Sequence, residues 1–293
     1  MSKRLLALLA LLLTFGLLAA ACGDDDDTAA GDDSDDSDDS DDLADGELPD
    51  LEGRTVTVAI ENAYLPFNYI DAETGEPGGW DYDAIDAMCA LINCTPEYVA
   101  AAWDGMIVAV ADGQYDMAAD GITITDERAE VVDFSDGYIN LDQRILVRVG
   151  EDRFTDSASL AADDSLRIGS QVGTTNYDTA VELAGEDRVD AFEQFGFAVQ
   201  ALIAGDVDAV IMDETAGQGY VGENADDVEL IGESLSSDQL GFIFPKGSDL
   251  VEPFNAAIAA MKADGSLESI STEYFGDSFT ITSDDIAEVE YDG

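Results

Sequence analysis

The amino-acid sequence predicts an α/β fold. From Val56 onwards, short apolar runs typical of strands alternate with amphipathic stretches typical of helices, and this alternation indicates layers of helices on sheets. Hydrophobic residues make up 46% of the chain, which is enough for ordinary cores, and the length of 293 residues allows one or two domains.

The predicted elements follow from this periodicity in chain order. Strands are predicted at residues 56–60, 144–149, 166–169, 207–212 and 241–244. Helices are predicted at residues 84–92, where one face is apolar, and at 106–110, 197–204, 252–262 and 267–274.

The N-terminus carries a targeting signal. Lys3 and Arg4 precede an apolar run over residues 5–21, which is slightly shorter than the roughly 20 residues of a membrane span. A basic start, an apolar core and a small-residue end predict a signal peptide over residues 1–21. Residues 18–22 (LAAAC) resemble a lipobox, which predicts a lipidated Cys22 and a protein held at the outer face of the cell membrane. The alternative is a secreted protein cut after Ala21.

The chain is strongly acidic, with a formal net charge of −55. Residues 24–50 hold 15 acidic residues and no basic ones, so residues 22–50 are predicted to be a lipidated cysteine followed by a disordered, self-repelling tether. The remaining acidic residues are spread widely, which argues against nucleic-acid binding. Such a charge also suggests adaptation to salt, because salt screens the repulsion.

Cysteine and histidine usage excludes several kinds of site. Cys89 and Cys94 lie five residues apart, and outside the cytoplasm they are expected to form a local disulfide, with two buried thiols as the alternative. The chain has no histidine, which excludes a Cys/His zinc site and a Ser-His-Asp nucleophile. No metal and no cofactor are expected.

The segment 121–128 (GITITDER) places an arginine beside a predicted helix start. Only nine Lys or Arg residues follow Arg4, against 66 acidic residues in the chain. Thr125 is predicted to cap a helix that begins with two acids. Backbone N–H groups and the Arg128 guanidinium would then meet at one place and suit a small carboxylate. The alternative is a surface helix with a solvated arginine.

The chain resembles the family 3 extracellular solute-binding proteins, which are the amino-acid receptors of ABC importers. The resemblance rests on residues 121–138 and on six other segments that occur in family order over about residues 56–275. The sequence is most similar to that of the glutamine-binding members. The six segments are residues 63–67 (AYLPF), 79–83 (GWDYD, expected to begin the first helix), 103–107 (WDGMI), 172–175 (VGTT), 207–213 (VDAVIMD) and 241–248 (GFIFPKGS).

This resemblance implies a two-lobed, type II periplasmic-binding-protein-like fold with a ligand cleft between the lobes. Lobe 1 is expected over residues 51–140 and 240–276, and lobe 2 over residues 141–239. An acidic C-terminal tail, residues 277–293, is expected at the periphery. In such sheets ligands bind at the carboxyl ends of the strands.

The resemblance also implies how a free amino acid is held. Arg128 is expected to bind the α-carboxylate as a bidentate partner, helped by Thr174 and Thr175 at a helix start. Asp213 is expected to accept the α-ammonium group. Two further acceptors of that group are expected, namely the Gly121 carbonyl and the Thr123 hydroxyl.

The rest of the expected site concerns the ligand side chain. Tyr64 and Trp103 are expected to form walls on either side of its stem. Glu61 and Asp120 near the distal end favour a cationic ligand. Gln171 stands where glutamine-binding relatives tend to have lysine, so polar or basic amino acids are expected first and acidic ones last.

The function expected from the resemblance is capture of an amino acid by closure of the lobes, followed by delivery to an ABC permease, by a protein that acts as a monomer. One alternative is an enzyme on the same scaffold, similar to the cyclohexadienyl dehydratases, with Glu61 as general acid. Another is a ligand-sensing module for a membrane receptor.

Overall fold

A computed structural model describes residues 48–276 and residue 291. The predicted signal peptide, Cys22, almost all of the acidic tether and the tail other than Tyr291 lie outside these residues. Within the described part of the chain, no helix is long and apolar enough to cross a membrane.

The described residues form a mixed α/β structure. The strands are β1 (Arg54–Ile60), β2 (Ala63–Tyr64), β3 (Asn68–Ile70), β4 (Pro77–Gly78), β5 (Cys94–Ala100), β6 (Met117–Ala118), β7 (Val132–Phe134), β8 (Ile139–Arg148), β9 (Ile168–Gln171), β10 (Val189–Phe192), β11 (Ala209–Asp213), β12 (Val228–Ile231), β13 (Ser237–Leu240) and β14 (Ile243–Pro245). The helices are α1 (Trp80–Ile92), α2 (Met106–Ala111), α3 (Asp126–Ala129), α4 (Ser157–Ala162), α5 (Thr175–Ala184), α6 (Phe195–Ala204), α7 (Glu214–Glu223), α8 (Val251–Asp264), α9 (Ser266–Phe275) and a 3₁₀ turn (Glu186–Arg188).

Two sheets define two lobes, which confirms the predicted fold class. Lobe 1 is built on the strand order β5-β1-β6-β14-β7, and lobe 2 on the order β10-β9-β11-β8-β12. β1 runs parallel to both of its neighbours, and β9 runs parallel to β10 and β11. The chain passes between the sheets along β8 and β13, which pair antiparallel over Ile139–Asp142 and Ser237–Leu240.

The first helix begins four residues earlier than its apolar periodicity predicts, at the position implied by the family resemblance. Gly79 precedes it with a φ of 125°. A Cβ at Gly79 would lie 2.2 Å from the carbonyl oxygen of Phe67, so only glycine fits. The turn places Trp80 in the core, where its ring stacks on Tyr138 with centroids 4.6 Å apart.

Several predicted element boundaries were wrong, and some elements were not predicted. β9 begins two residues later than the predicted strand, and β8 begins five residues before residue 144. β5 was not predicted, because this half-exposed edge strand contains Pro96 and Glu97 instead of an apolar run. α7 was also missed, because three glycines interrupt its sequence, ETAGQGYVGE.

Cys89, in the last part of α1, forms a disulfide with Cys94, the first residue of β5. The bridge fastens the helix to the sheet edge across the short connection between them, where Asn93 adopts a left-handed conformation. Neither cysteine is among the residues that line the pocket in the cleft.

Candidate ligand-binding site

The cleft between the two sheets contains a pocket of about 320 Å³, measured out to its open mouth. The pocket is lined by all of the ligand-contacting residues that the sequence predicted, namely Glu61, Tyr64, Trp103, Asp120, Gly121, Thr123, Arg128, Gln171, Thr174, Thr175 and Asp213. Two lining residues, Asn176 and Phe195, were not predicted.

Strand ends position the polar side chains of the pocket. Glu61 follows β1 directly, and Asp120 lies two residues beyond the parallel strand β6. In lobe 2, Gln171 and Asp213 are the last residues of the parallel neighbours β9 and β11. Carboxyl ends of parallel strands meet at one edge of a sheet, and the two edges face each other across the cleft.

Arg128 is a half-buried cation that bonds to backbone carbonyls of both lobes. Its Nη1 donates to the Thr123 carbonyl at 2.9 Å, and its Nη2 donates across the cleft to the Gly173 carbonyl at 3.2 Å. The guanidinium lies 5.4 Å from the centre of the Trp103 ring. Burial lowers the pKa of Arg128. Among the described residues no carboxylate forms an ion pair with it.

The Thr125 hydroxyl caps α3 as predicted. The cap removes one of the backbone N–H groups that were expected to bind an anion. The hydroxyl oxygen accepts from the Arg128 N–H at 3.1 Å, so that N–H is occupied. α3 is only four residues long and adds little dipole. The guanidinium itself is therefore the feature of this segment that suits an anion.

The start of α5 supplies hydroxyl groups from lobe 2. Thr174 is the N-cap: its hydroxyl accepts from Tyr177 N–H at 3.1 Å and donates to the Gln171 carbonyl at 2.7 Å. The Thr175 hydroxyl lies 3.3 Å from the Thr123 hydroxyl of lobe 1. Since the Thr174 hydrogen is already donated within lobe 2, Thr175 is the better placed donor to a ligand.

Asp213 is a buried carboxyl that both lobes help to hold. Tyr64 of lobe 1 donates its phenolic hydrogen to one oxygen, and Asn176 Nδ2 donates to the other at 2.9 Å. Burial raises the pKa of Asp213, against the effect of these two hydrogen bonds. Gly121 is required beside Tyr64, because its φ is +57° and a Cβ would lie 2.7 Å from the Tyr64 ring.

Two acidic side chains, Glu61 and Asp120, line the distal end of the pocket, and a third, Asp81, lies behind them against Asn68. Glu61 accepts from Gln171 Nε2 at 2.8 Å. Asp120 accepts from Asn68 Nδ2 at 2.6 Å, and the same amide nitrogen donates to Asp81 at 2.9 Å. All three carboxyls are buried.

Burial shifts the pKa of these distal carboxyls upwards. It raises the pKa of Asp120 to about 7. It raises the pKa of Glu61 well above its ordinary value, and the neighbouring Asp120 charge adds to this. The distal end has the character of a site for a cation or for hydrogen-bond donors.

The two lobes contact each other directly in the cleft, mainly through residues that were expected from the sequence to bind the ligand. Phe195 adds an apolar contact, with its ring centroid 5.7 Å from that of Tyr64. The polar bridges are Tyr64–Asp213, Glu61–Gln171, Thr123–Thr175 and Arg128–Gly173.

The expectation that the C-terminal tail is peripheral is wrong for Tyr291. Its phenol donates to the Glu61 carbonyl oxygen at 2.8 Å and accepts from Gln194 Nε2 at 3.3 Å. Gln194 precedes Phe195, so Tyr291 lies against the distal part of the cleft. Sequence reasoning missed this contact because an aromatic residue in an acidic tail carries no periodicity that would place it.

Comparison with known proteins gives a consistent assignment. Residues 56–277 match the family described as bacterial extracellular solute-binding proteins, family 3. The L-arginine-binding protein of Pseudomonas aeruginosa is 31% identical over 241 residues, covering 76% of this chain and 88% of that protein. The L-cystine-binding protein TcyA of Bacillus subtilis is 30% identical over 276 residues, covering 92% and 97% respectively.

Among solved structures, the arginine-, lysine-, histidine-binding protein ArtJ of Geobacillus stearothermophilus superimposes with a TM-score of 0.71 at 31% identity, covering 76% of this chain and 95% of that chain. These three relatives are named as binding proteins, not as enzymes. The alternative of a dehydratase-like enzyme gains no support from them.

Proposed function

The chain belongs to family 3 of the bacterial extracellular solute-binding proteins, and we propose that it binds a free polar or basic L-amino acid between its lobes and delivers it to the permease of an ABC importer. The named ligands of its relatives, arginine, lysine, histidine and cystine, support a zwitterionic ligand of this class.

One observation carries the proposal: a half-buried guanidinium and a buried carboxyl line the same pocket. Arg128 lacks an anionic partner among the described residues, and Asp213 keeps acceptor capacity beyond its bonds to Tyr64 and Asn176. An α-carboxylate would satisfy the first group and an α-ammonium the second. Each charge would be neutralised in a site largely shielded from water, where such pairing is strong.

The distal carboxyls select the side chain of the ligand. A cationic side chain would be attracted to Glu61 and Asp120, and a polar one would donate hydrogen bonds to them. An acidic side chain would be repelled. We therefore place basic amino acids first, polar ones second and acidic ones last.

The lobes supply a route from capture to delivery. Arg128, Tyr64 and Trp103 belong to lobe 1, so the ligand docks there first, and closure then adds Thr175 and Asp213 from lobe 2. The closed form would be what the permease binds. The protein acts as a monomer, outside the cytoplasm.

Cys22 is proposed to carry the lipid that anchors the protein to the outer face of the membrane. Replacing it, Cys22→Ala, should move the protein from the membrane fraction to the medium. Retention of the variant in the membrane fraction would contradict the anchor.

A thermal-shift panel of the twenty amino acids tests the binding function. A ligand at a hundred times its dissociation constant stabilises by about 2.7 kcal/mol, which corresponds to a shift of about 5 to 10 °C. Basic amino acids should give the largest shift, and Arg128→Ala should abolish it. The control is Arg54→Ala, which loses an exposed ion pair with Asp249 and should keep the shift. No shift with any amino acid would contradict the proposal.

A further inference from the structure

We propose that Tyr291 is a positioning residue of the binding site, which joins Glu61 of lobe 1 to Gln194 of lobe 2 and so slows ligand release. This inference rests on the proposed function, since it names a part of the chain that regulates the residence time of the ligand. Tyr291 does not line the pocket itself.

The first step of the argument is where the phenol lies. Its oxygen donates to the backbone carbonyl of Glu61 at 2.8 Å. Glu61 immediately follows β1, and its side chain lines the distal end of the pocket. The hydroxyl of Tyr291 therefore fixes the backbone from which a distal carboxyl projects.

The second step is that the same oxygen reaches the other lobe. Gln194 Nε2 donates to it at 3.3 Å, and Gln194 stands directly before Phe195, a pocket residue at the start of α6. The carbonyl of Glu193 accepts a bond from Gln171 at 2.9 Å, and Gln171 also binds the Glu61 side chain. The Glu61–Tyr291–Gln194 connection therefore reinforces the contact between Glu61 of lobe 1 and Gln171 of lobe 2, which can form only when the lobes are together.

The third step is the local electrostatics. The phenol is half-buried, and burial together with the nearby Glu61 and Asp120 charges raises the pKa of Tyr291. The hydroxyl consequently stays protonated and keeps its hydrogen for the Glu61 carbonyl. A group that stabilises only the closed arrangement should slow opening and leave docking on the open lobe unchanged.

The test is a double-mutant cycle of Tyr291→Phe and Gln194→Leu in the otherwise complete chain, with arginine and glutamine as probes in stopped-flow measurements. Tyr291→Phe should raise the dissociation rate about two- to tenfold, the range expected for one net hydrogen bond, with little change in the association rate. Because either substitution breaks the connection, the double variant should be no worse than the poorer single one. Tyr98→Phe, which removes a hydroxyl bonded within lobe 1, is the matched control and should leave the dissociation rate unchanged.

Hydrogen exchange without ligand provides a second measurement that does not depend on the proposed function. Tyr291→Phe should increase exchange both around residues 60–63 of lobe 1 and around residues 192–197 of lobe 2. If the complete chain bound neither probe, the proposed function would be in doubt and the exchange result would decide this inference alone. Unchanged exchange in both segments, or an unchanged dissociation rate with a ligand that binds, would overturn it.

Discussion

Tyr64 of lobe 1 donates a hydrogen bond to Asp213 of lobe 2, across the middle of the cleft. Burial raises the pKa of Tyr64, and the Asp213 charge raises it further, so the phenol remains a donor. Together with Asn176, it orients the carboxyl expected to accept the ligand ammonium. Asp213 therefore supplies the negative charge, while Tyr64 and Asn176 orient its carboxyl. Substitutions at Asp213 and Tyr64 can measure the two effects separately.

Asp213→Asn should weaken amino-acid binding far more than Tyr64→Phe does. Asparagine removes the negative charge opposite a buried ammonium, and we expect a loss of about 2 to 5 kcal/mol in binding free energy. Phenylalanine keeps the ring and removes one hydrogen bond, with an expected loss of about 0.5 to 1.5 kcal/mol. Calorimetric titration of both variants gives the comparison. Equal losses would mean that the Asp213 charge does not contact the ligand.

Arg128→Lys should impair binding although the charge is retained. Lysine cannot form the two parallel hydrogen bonds that a guanidinium offers to a carboxylate, and we expect a loss of about 1 to 3 kcal/mol. Arg54→Lys is the matched control, because Arg54 pairs with Asp249 at the surface and does not line the cleft. An Arg128→Lys variant that binds as tightly as the control would remove Arg128 from the carboxylate site.

Affinity for arginine should rise with pH up to about 7 and then level off. The pKa of Asp120 is raised to about 7, and a cationic ligand favours the ionised carboxyl. Binding below this value must release a proton, so affinity should fall by up to about tenfold per pH unit. Titrations from pH 5 to 8 measure the slope. Affinity for arginine that is flat over this range would show that the distal pair does not meet the ligand cation.

Asp120→Asn should flatten that profile and lower the affinity for arginine at pH 7.5. It should also stabilise the ligand-free protein above pH 7. The sign follows from linkage: the native carboxyl holds a proton that the unfolded chain has already released above about pH 4, so its contribution to stability is lost as the pH rises through about 7. Asp264→Asn, which changes an exposed carboxyl, is the control for both measurements.

Stability should increase with salt concentration. The chain carries a formal net charge of −55, and repulsion between surface carboxylates is screened as the Debye length falls. Thermal unfolding at NaCl concentrations from low to molar should show a rising midpoint. A flat dependence would contradict the interpretation that the acidic surface is an adaptation to salt.

The sequence was most informative where local chemistry and chain order agreed. The Thr125 cap follows from its position before two acids, whereas the start of α1 at Trp80 was implied by the family resemblance and not by the apolar periodicity. The strands that carry Glu61 and Asp213 end at one edge of each sheet, but the pocket residues themselves were predicted from the family resemblance. The family resemblance brought residues far apart in the chain into one list, which no local pattern could do.

Other features depend on contacts that a single sequence does not encode locally. Phe195 reaches the cleft because α6 begins two residues before its apolar periodicity suggests. Asn68 donates hydrogen bonds both to Asp120, which is 52 residues away in the sequence, and to Asp81, which is 13 residues away. Tyr291 meets Glu61 over a separation of 230 residues. Each is decided by tertiary packing and not by propensity.

The most direct test of the central claim is calorimetric titration with arginine and with agmatine, which is arginine without its α-carboxylate. If Arg128 and Asp213 hold the two ends of a zwitterion, arginine should bind with a dissociation constant in the micromolar range, which needs about 8 kcal/mol. Agmatine should bind at least about a hundredfold more weakly, since it lacks the carboxylate that would pair with the Arg128 guanidinium. Equal affinity for the two compounds, or no heat with arginine, would contradict the account.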